Sequence, residues 1–169
     1  MDNRAGCALL IQTIKELEDC QNDAYFVFSV QEEVGLRGAK TSAYAINPDV
    51  GIAVDVTSTG DTPKARTMAV ELGKGPAIKV KDASVICHPK VKDLMIDRAE
   101  DKGIPYQLEV LEWGGTDAGI IHLTREGVPS GAVSVPCRYI HSANEMVDAK
   151  DLEDGVKLLV AILEQEIEI

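Results

Sequence analysis

Tyr25-Phe26-Val27-Phe28-Ser29-Val30-Gln31-Glu32-Glu33 is the stretch on which the fold turns. Its first six residues are aromatic or β-branched almost without a break, and the run is continuous rather than alternating. That pattern predicts a strand buried on both faces, as in sheets covered by helices. Val50-Gly51-Ile52-Ala53-Val54 reads the same way, and further strands are expected near Ala77–Val80, Gln107–Leu111 and Gly131–Val135. Between and around them the apolar spacing becomes helical. From Ala5 to Glu18 it falls at Gly6, Leu10, Ile14 and Leu17, with Asp2 or Asn3 as cap. Leu36–Ile46 is closed by Asn47-Pro48, and helices are also expected at Val91–Lys102 and near Asp117–Thr124. A last stripe runs Leu152, Val156, Leu159, Leu163, Ile167, behind an acidic first turn that complements the helix dipole. Strands alternating with helices predict one α/β domain over residues 1–169, three layers deep, around a mostly parallel sheet. Thr57–Pro76, rich in Gly, Thr, Lys and Pro, is expected to be a loop over one sheet edge.

The bulk composition sets limits on partners. Acidic residues outnumber basic ones 28 to 17, giving a formal charge of -11, which opposes the phosphate contacts that nucleic acids and anionic membranes require. No apolar run reaches the roughly 18 residues needed to span a bilayer, and no signal segment follows Met1, so a cytoplasmic protein is expected. Cys7, Cys20, Cys87 and Cys137 are scattered, without a C-x-x-C pair, and read as structural thiols in a reducing compartment.

In open α/β sheets ligands bind at the carboxyl ends of strands. The first run ends in Glu32-Glu33, the second in Asp55, and the third reaches His141. Three strands therefore deliver carboxylates or an imidazole to one rim. Crowded carboxylates raise one another's pKa unless a cation sits among them. Oxygen and imidazole donors without Cys suit zinc, cobalt or manganese, and an ion with an open position would acidify a bound water. Of the adjacent pair, one carboxylate could hold the ion while the other took the proton as general base.

Five motifs then fall in register: Asp2-Asn3-Arg4-Ala5-Gly6; Gln31-Glu32-Glu33-Val34-Gly35-Leu36-Arg37-Gly38-Ala39; Ala53-Val54-Asp55; Gly114-Gly115-Thr116-Asp117-Ala118-Gly119; and Arg138-Tyr139-Ile140-His141-Ser142. Along its whole length the chain resembles the tetrahedral, glutamyl and deblocking aminopeptidases, dinuclear zinc-exopeptidase-like enzymes sometimes labelled endoglucanases. The resemblance implies metal-dependent removal of N-terminal residues from peptides, with two zinc or cobalt ions per site. It makes Asp2 the bridging carboxylate, Glu33 and His141 ligands of one ion, Asp55 a ligand of the other, and Glu32 the general base. It also implies a cis peptide at Asp2-Asn3. Gly115, Thr116 and Asp117 resemble a loop beside the substrate, although Thr116 or Asp117 as a plain helix cap is an equal reading.

One ligand of the family pattern is missing. In the family a metal-binding His in an H-x-D motif and an inserted β-barrel domain precede the D-N-R-x-G segment, and here neither His88-Pro89-Lys90 nor His122-Leu123-Thr124 has that form. The chain thus resembles the C-terminal half of the catalytic domain. The expectation is at most one tightly held ion, a sheet with an unfilled edge and exposed apolar surface, and association with itself or with a companion N-terminal chain. Two rival readings are a glycoside hydrolase using paired carboxylates and a non-catalytic subunit. One Trp and 4% aromatics argue against a sugar-stacking cleft.

Overall fold

A computed structural model describes all of residues 1–169. Ten elements follow in the order α1 (Arg4–Glu16), α2 (Arg37–Ile46), β1 (Gly51–Thr57), β2 (Ala77–Lys81), α3 (Pro89–Lys102), β3 (Gln107–Val110), α4 (Ala118–Ile121), β4 (Ser130–Arg138), β5 (Met146–Val147) and α5 (Ala149–Leu163). The sheet order is β1-β4-β2-β3, with β5 pairing β4. The two longer ladders, β1/β4 and β2/β3, are parallel, while β2/β4 and β4/β5 are short antiparallel joins. The sheet is therefore mixed. Its antiparallel step arises because β2 is delivered by the irregular segment 58–76 and not by a helical crossover.

Helices α1, α3 and α5 cover one face and α2 with α4 the other. The larger core lies under the first group, where Leu9, Val56, Ile78, Met95, Val133, Val135, Leu158 and Ile162 meet. Full burial of side chains of this size is worth roughly 1.5–3 kcal/mol each. Alternate residues of the same strands, Ala53 and Ala132, face α4 in a small second cluster. α3 lies tight against β4, since a Cβ on Gly131 would sit 2.7 Å from Cys87 Sγ and 2.9 Å from Met95 Cε. Pro89 opens α3, and Gly103, left-handed with φ 63°, closes it.

Several expectations need correction. Tyr25–Val30 pairs with no strand of the chain, and Tyr25, Val27, Phe28 and Val30 are exposed. The residue types are those of a buried strand, but no strand of the described sheet pairs with it. Two helices consequently precede the first strand, and the βα alternation fails there. α1 buries Ala5, Gly6, Leu9 and Thr13, while Ile14 stays exposed. Its inner face is turned by about one residue because Thr13 can be buried when its hydroxyl donates to Leu9 O. In α5 the acidic turn does more than complement a dipole. Asp148 caps the helix, and buried Asp151 accepts the N–H groups of Gly73 and Gly75 at 2.8 and 2.7 Å. Those bonds fasten the 58–76 loop, which Gln107 also holds to β3 through Glu71 and Gly75. Cys87 and Cys137 are buried, whereas Cys7 and Cys20 are exposed, and all four are free thiols. No helix is long and apolar enough to cross a membrane.

Candidate metal centre

Asn3 builds the first corner of the site. Its Oδ1 accepts the Gly6 N–H, capping α1, and its Nδ2 donates to Val54 O at 2.8 Å. One side chain thus fixes the start of α1 against β1, and Asp2 is held one residue before it. The Asp2-Asn3 peptide is cis. β1 carries Asp55 on the face that also holds Ala53, so the carboxylate points away from the large core.

The second corner is the turn after Val30. Gln31 and Leu36 are both left-handed without being glycine, and Glu32 O accepts the N–H groups of Gly35 and Leu36. Gly38 allows α2 to start directly against Val30, where a Cβ would lie 2.5 Å from its nitrogen. The third corner follows β4, where Tyr139 and His141 are again left-handed non-glycines. Sparse backbone conformations of this kind persist where the surroundings enforce them, and they gather at functional sites.

These corners converge. His141 Nε2 lies 3.2 Å from Asp2 Oδ2 and 3.5 Å from Glu33 Oε1. One ligand atom from each of the three lies within 4.8 Å of the others, close enough to share one ion. Asp55 and Glu32 adjoin this group. Burial first, and the charges of Glu32, Asp2 and Asp117 after it, push the Asp55 carboxyl up to about 8 despite a bond from Val56 N–H. Burial and then Asp117, Glu33 and Asp2 push Glu32 up to about 7. Asp2 is raised to about 6 by burial and by Glu33. No Lys or Arg is among the main influences on these three groups. Two carboxylates and an imidazole around one point, with acids paying mutual repulsion beside them, are a donor set that fits a divalent cation.

Of the loop residues, Thr116 is buried and its Oγ1 accepts the Ala118 N–H, so it caps α4. Asp117 makes no cap bond. Its Oδ2 accepts from Ser29 Oγ, while its buried Oδ1 has no partner. Asp117 is the second-largest influence on Glu32 and therefore belongs with the acidic group. Gly115 packs on Ser84, whose Oγ would lie 2.6 Å from an added Cβ, and Asp82 holds Ser84 by its N–H and hydroxyl. His88 and His122 take structural places, the first at the start of α3 and the second on Ala118 O.

Glu145 is a residue the sequence reading missed. Its Oε2 accepts the Asp2 N–H and its Oε1 the His141 N–H, both at 3.0 Å. It bridges two chain segments more than a hundred residues apart, and no motif announces it. Only its place four residues after His141 hints at a turn.

Comparison with known proteins supplies relatives of the whole chain. A protein from Acetivibrio thermocellus carrying a provisional aminopeptidase name is 60% identical over 160 residues, 95% of this chain and 48% of its own. Lysyl aminopeptidase of Pyrococcus furiosus is 39% identical over 98% of this chain and 47% of its own. Among solved structures, aminopeptidase APDkam598 of Desulfurococcus kamchatkensis superposes with a TM-score of 0.94 at 46% identity, covering 98% of this chain and 48% of that one. The chain spans about half the length of the relatives it matches. The profile of one family, M42 glutamyl aminopeptidase, matches residues 1–158, and the chain belongs to that family.

Proposed function

We propose that these 169 residues carry the metal-holding half of a peptidase site that removes N-terminal residues from peptides. The observation behind this is the meeting of Asp2, Glu33 and His141 around one point, with Glu32 and Asp55 beside it. Asp2, Glu33 and His141 would hold one divalent ion, zinc or cobalt. Asp2 and Asp55 would be two ligands of a second, and two carboxylates alone compete poorly with water for it. A bound ion supplies Lewis acidity towards the scissile carbonyl and the attacking water. Glu32, raised to about 7, is matched to take a proton from that water near neutral pH and return it to the leaving amine. Asp117, one oxygen of which has no hydrogen-bond partner, would be the acidic group that receives the peptide's free ammonium. Gly115 and Thr116 keep that loop close and in register.

In this reading the chain is a partial catalytic domain, acts in the cytoplasm, and needs a companion N-terminal portion for full activity. Association into larger assemblies is part of the proposal. A Pyrococcus horikoshii peptidase, 35% identical with a TM-score of 0.78 over 96% of this chain and 48% of that one, is described as assembling into a tetrahedron or an octahedral shell. Glycoside hydrolysis would leave His141 without a task. The test is zinc titration calorimetry on metal-free protein. One tight site is expected, weakened strongly by Glu33→Ala and His141→Ala, mildly by Asp55→Ala and hardly by Glu32→Gln. Equal losses from Asp55→Ala and His141→Ala would show that the ligands are wrongly assigned. No metal effect on binding or stability would favour a non-catalytic subunit.

A further inference from the structure

Arg66 is a cation without an acid. It is exposed in the 58–76 loop, and its guanidinium carbon lies 4.2 Å from the centre of the Trp113 ring. It pairs with no carboxylate, in a chain whose acids outnumber its bases 28 to 17. Arg138 marks the contrast, since it grips Asp61 of the same loop with two bonds and fastens that loop beside the strand leading to His141. Trp113 opens the other loop of the site, which runs through Gly114, Gly115 and Thr116 to Asp117. None of the N–H groups from Trp113 to Asp117 donates to an acceptor in the chain. Thr116 is buried, where an unbonded N–H is costly. Gly114 is left-handed with φ 69°, and a left-handed residue is one half of the backbone nest in which successive N–H groups gather around an anion.

We infer that Arg66 and the Trp113–Thr116 backbone form a carboxylate subsite, and that the carboxylate is the C-terminus of a short, unblocked peptide. The inference rests on the peptidase reading, in which Asp117 takes the ammonium at the peptide's other end. The loop then carries an acid at one end and a cation with free donors at the other, the reverse of a zwitterionic peptide. Four residues of chain lead from Trp113 to Asp117, so the two ends are no more than about 14 Å apart. An extended tripeptide spans about 10 Å, which fits within that reach, whereas a long peptide carries its C-terminus past it. A guanidinium stacked on an aromatic face keeps its edge N–H groups free and presents them as a planar fork, the geometry a carboxylate matches. The stack also holds the Arg66 side chain before the peptide arrives, which lowers the entropic cost of binding. Charge sets the direction of binding, because the carboxylates at Glu32, Glu33 and Asp55 favour the ammonium end and oppose an acid end that stops short of Arg66.

Trp113 is the chain's one tryptophan, so its emission reports on the subsite directly. The test titrates the zinc-loaded chain, carrying Glu32→Gln to prevent turnover, with leucyl-glycyl-glycine, its C-terminal amide and its N-acetyl form at low salt. Circular dichroism checks the folding of each variant. The free acid should bind about tenfold more tightly than the amide, the low end of what a charge-assisted hydrogen bond contributes. Adding Arg66→Gln should cut that preference below about twofold, and Arg66→Lys, which keeps the charge but not the planar fork, should leave it in between. Acetylation should weaken binding in every variant. Equal affinity for acid and amide, with acetylation still harmful, overturns the subsite and leaves the peptidase reading standing. A preference that survives Arg66→Gln overturns it as well. Glutamyl-glycyl-glycine amide binding as tightly as leucyl-glycyl-glycine, and losing that gain in Arg66→Gln, overturns the C-terminal assignment by giving the subsite to an acidic side chain. Failure of all these peptides to bind defeats the peptidase reading and the subsite with it.

Discussion

Replacing Lys79 by Met should be among the most damaging single changes in the chain. Lys79 is 1% exposed and lies on β2 between two carboxylates, Glu109 on β3 at 2.6 Å and Asp82 at 3.3 Å. Thr57 Oγ1, at the end of the strand that carries Asp55, donates to the same Glu109 oxygen at 2.7 Å, and Glu109 Oε2 has no hydrogen-bond partner. Removing the ammonium leaves two fully buried carboxylates without their cation. Breaking a buried pair from one side costs about 3–5 kcal/mol. For a domain of this size the entropy of unfolding is roughly 0.35 kcal/mol per kelvin, so melting should fall by about 10 °C. Lys79→Met/Glu109→Leu removes the main pair together and should recover much of the loss. Asp82 then keeps its bonds to Ser84 and Val85 as its remaining support. Urea melts of the wild type, both single variants and the double variant give the coupling energy directly. A loss under about 1 kcal/mol for Lys79→Met, or a double variant as unstable as the two singles added, would refute the claim that this is a dry, mutually dependent pair.

Glu145→Gln should weaken zinc binding by about 10–100-fold while the chain stays folded, because the carboxylate holds the Asp2 and His141 backbones and touches no proposed ligand atom; calorimetry with circular dichroism reads both. Asp151→Ala strips two buried glycine N–H groups of their acceptor and should cost about 2–4 kcal/mol in urea melts, with early protease cleavage between residues 58 and 76. The pH dependence of the metal-free protein follows from Asp55, whose folded value of about 8 lies above its ordinary 3.8. Its proton is held in the folded state alone between those values, so its contribution is full below about pH 4 and lost as pH rises to about 8. Melting temperature should therefore fall from pH 5 to 8 in chelator, and Asp55→Asn should flatten that slope.

Much of the fold could be read from residue pattern. β1, β2, β3, β4, α2, α3 and α5 lie within a few residues of the expected stretches, because each is short, bounded by Gly, Pro or polar caps, and apolar on the right period. The motifs also led to residues that lie together in space. What pattern missed has physical causes. In β3 it is Glu109 that is buried, while Leu108 and Val110 are exposed, since the face towards α4 is a polar layer completed by Lys79 and Thr57. A charged residue whose partner is thirty positions away leaves no mark on local periodicity. Tyr25–Val30 failed in the opposite sense. Its composition describes a buried strand, and burial requires neighbours that local sequence cannot supply.

The distribution of cations gives the site its direction. Arg138, three residues before His141, turns to Asp61 at 2.6 Å and does not enter the acidic group. Lys79 is committed to Glu109 and Asp82. Asp2, Glu32 and Asp55 are left with raised pKa values, and among the main influences the lowering charge is that of His141, acting on Asp2 and Glu32. A stability-driven arrangement would place an Arg or Lys there, as it does at Asp61 and Glu109. Leaving several carboxylates to repel one another around an exposed imidazole is destabilising for the bare chain, and an added divalent cation offsets that cost. Zinc should accordingly raise the melting temperature of the wild type more at pH 8 than at pH 5. The same titration on Lys79→Met should give a similar shift, because that pair lies outside the ion's ligand set. A zinc shift that vanished in Lys79→Met, with His141→Ala unaffected, would move the cation site to the buried pair and away from the rim.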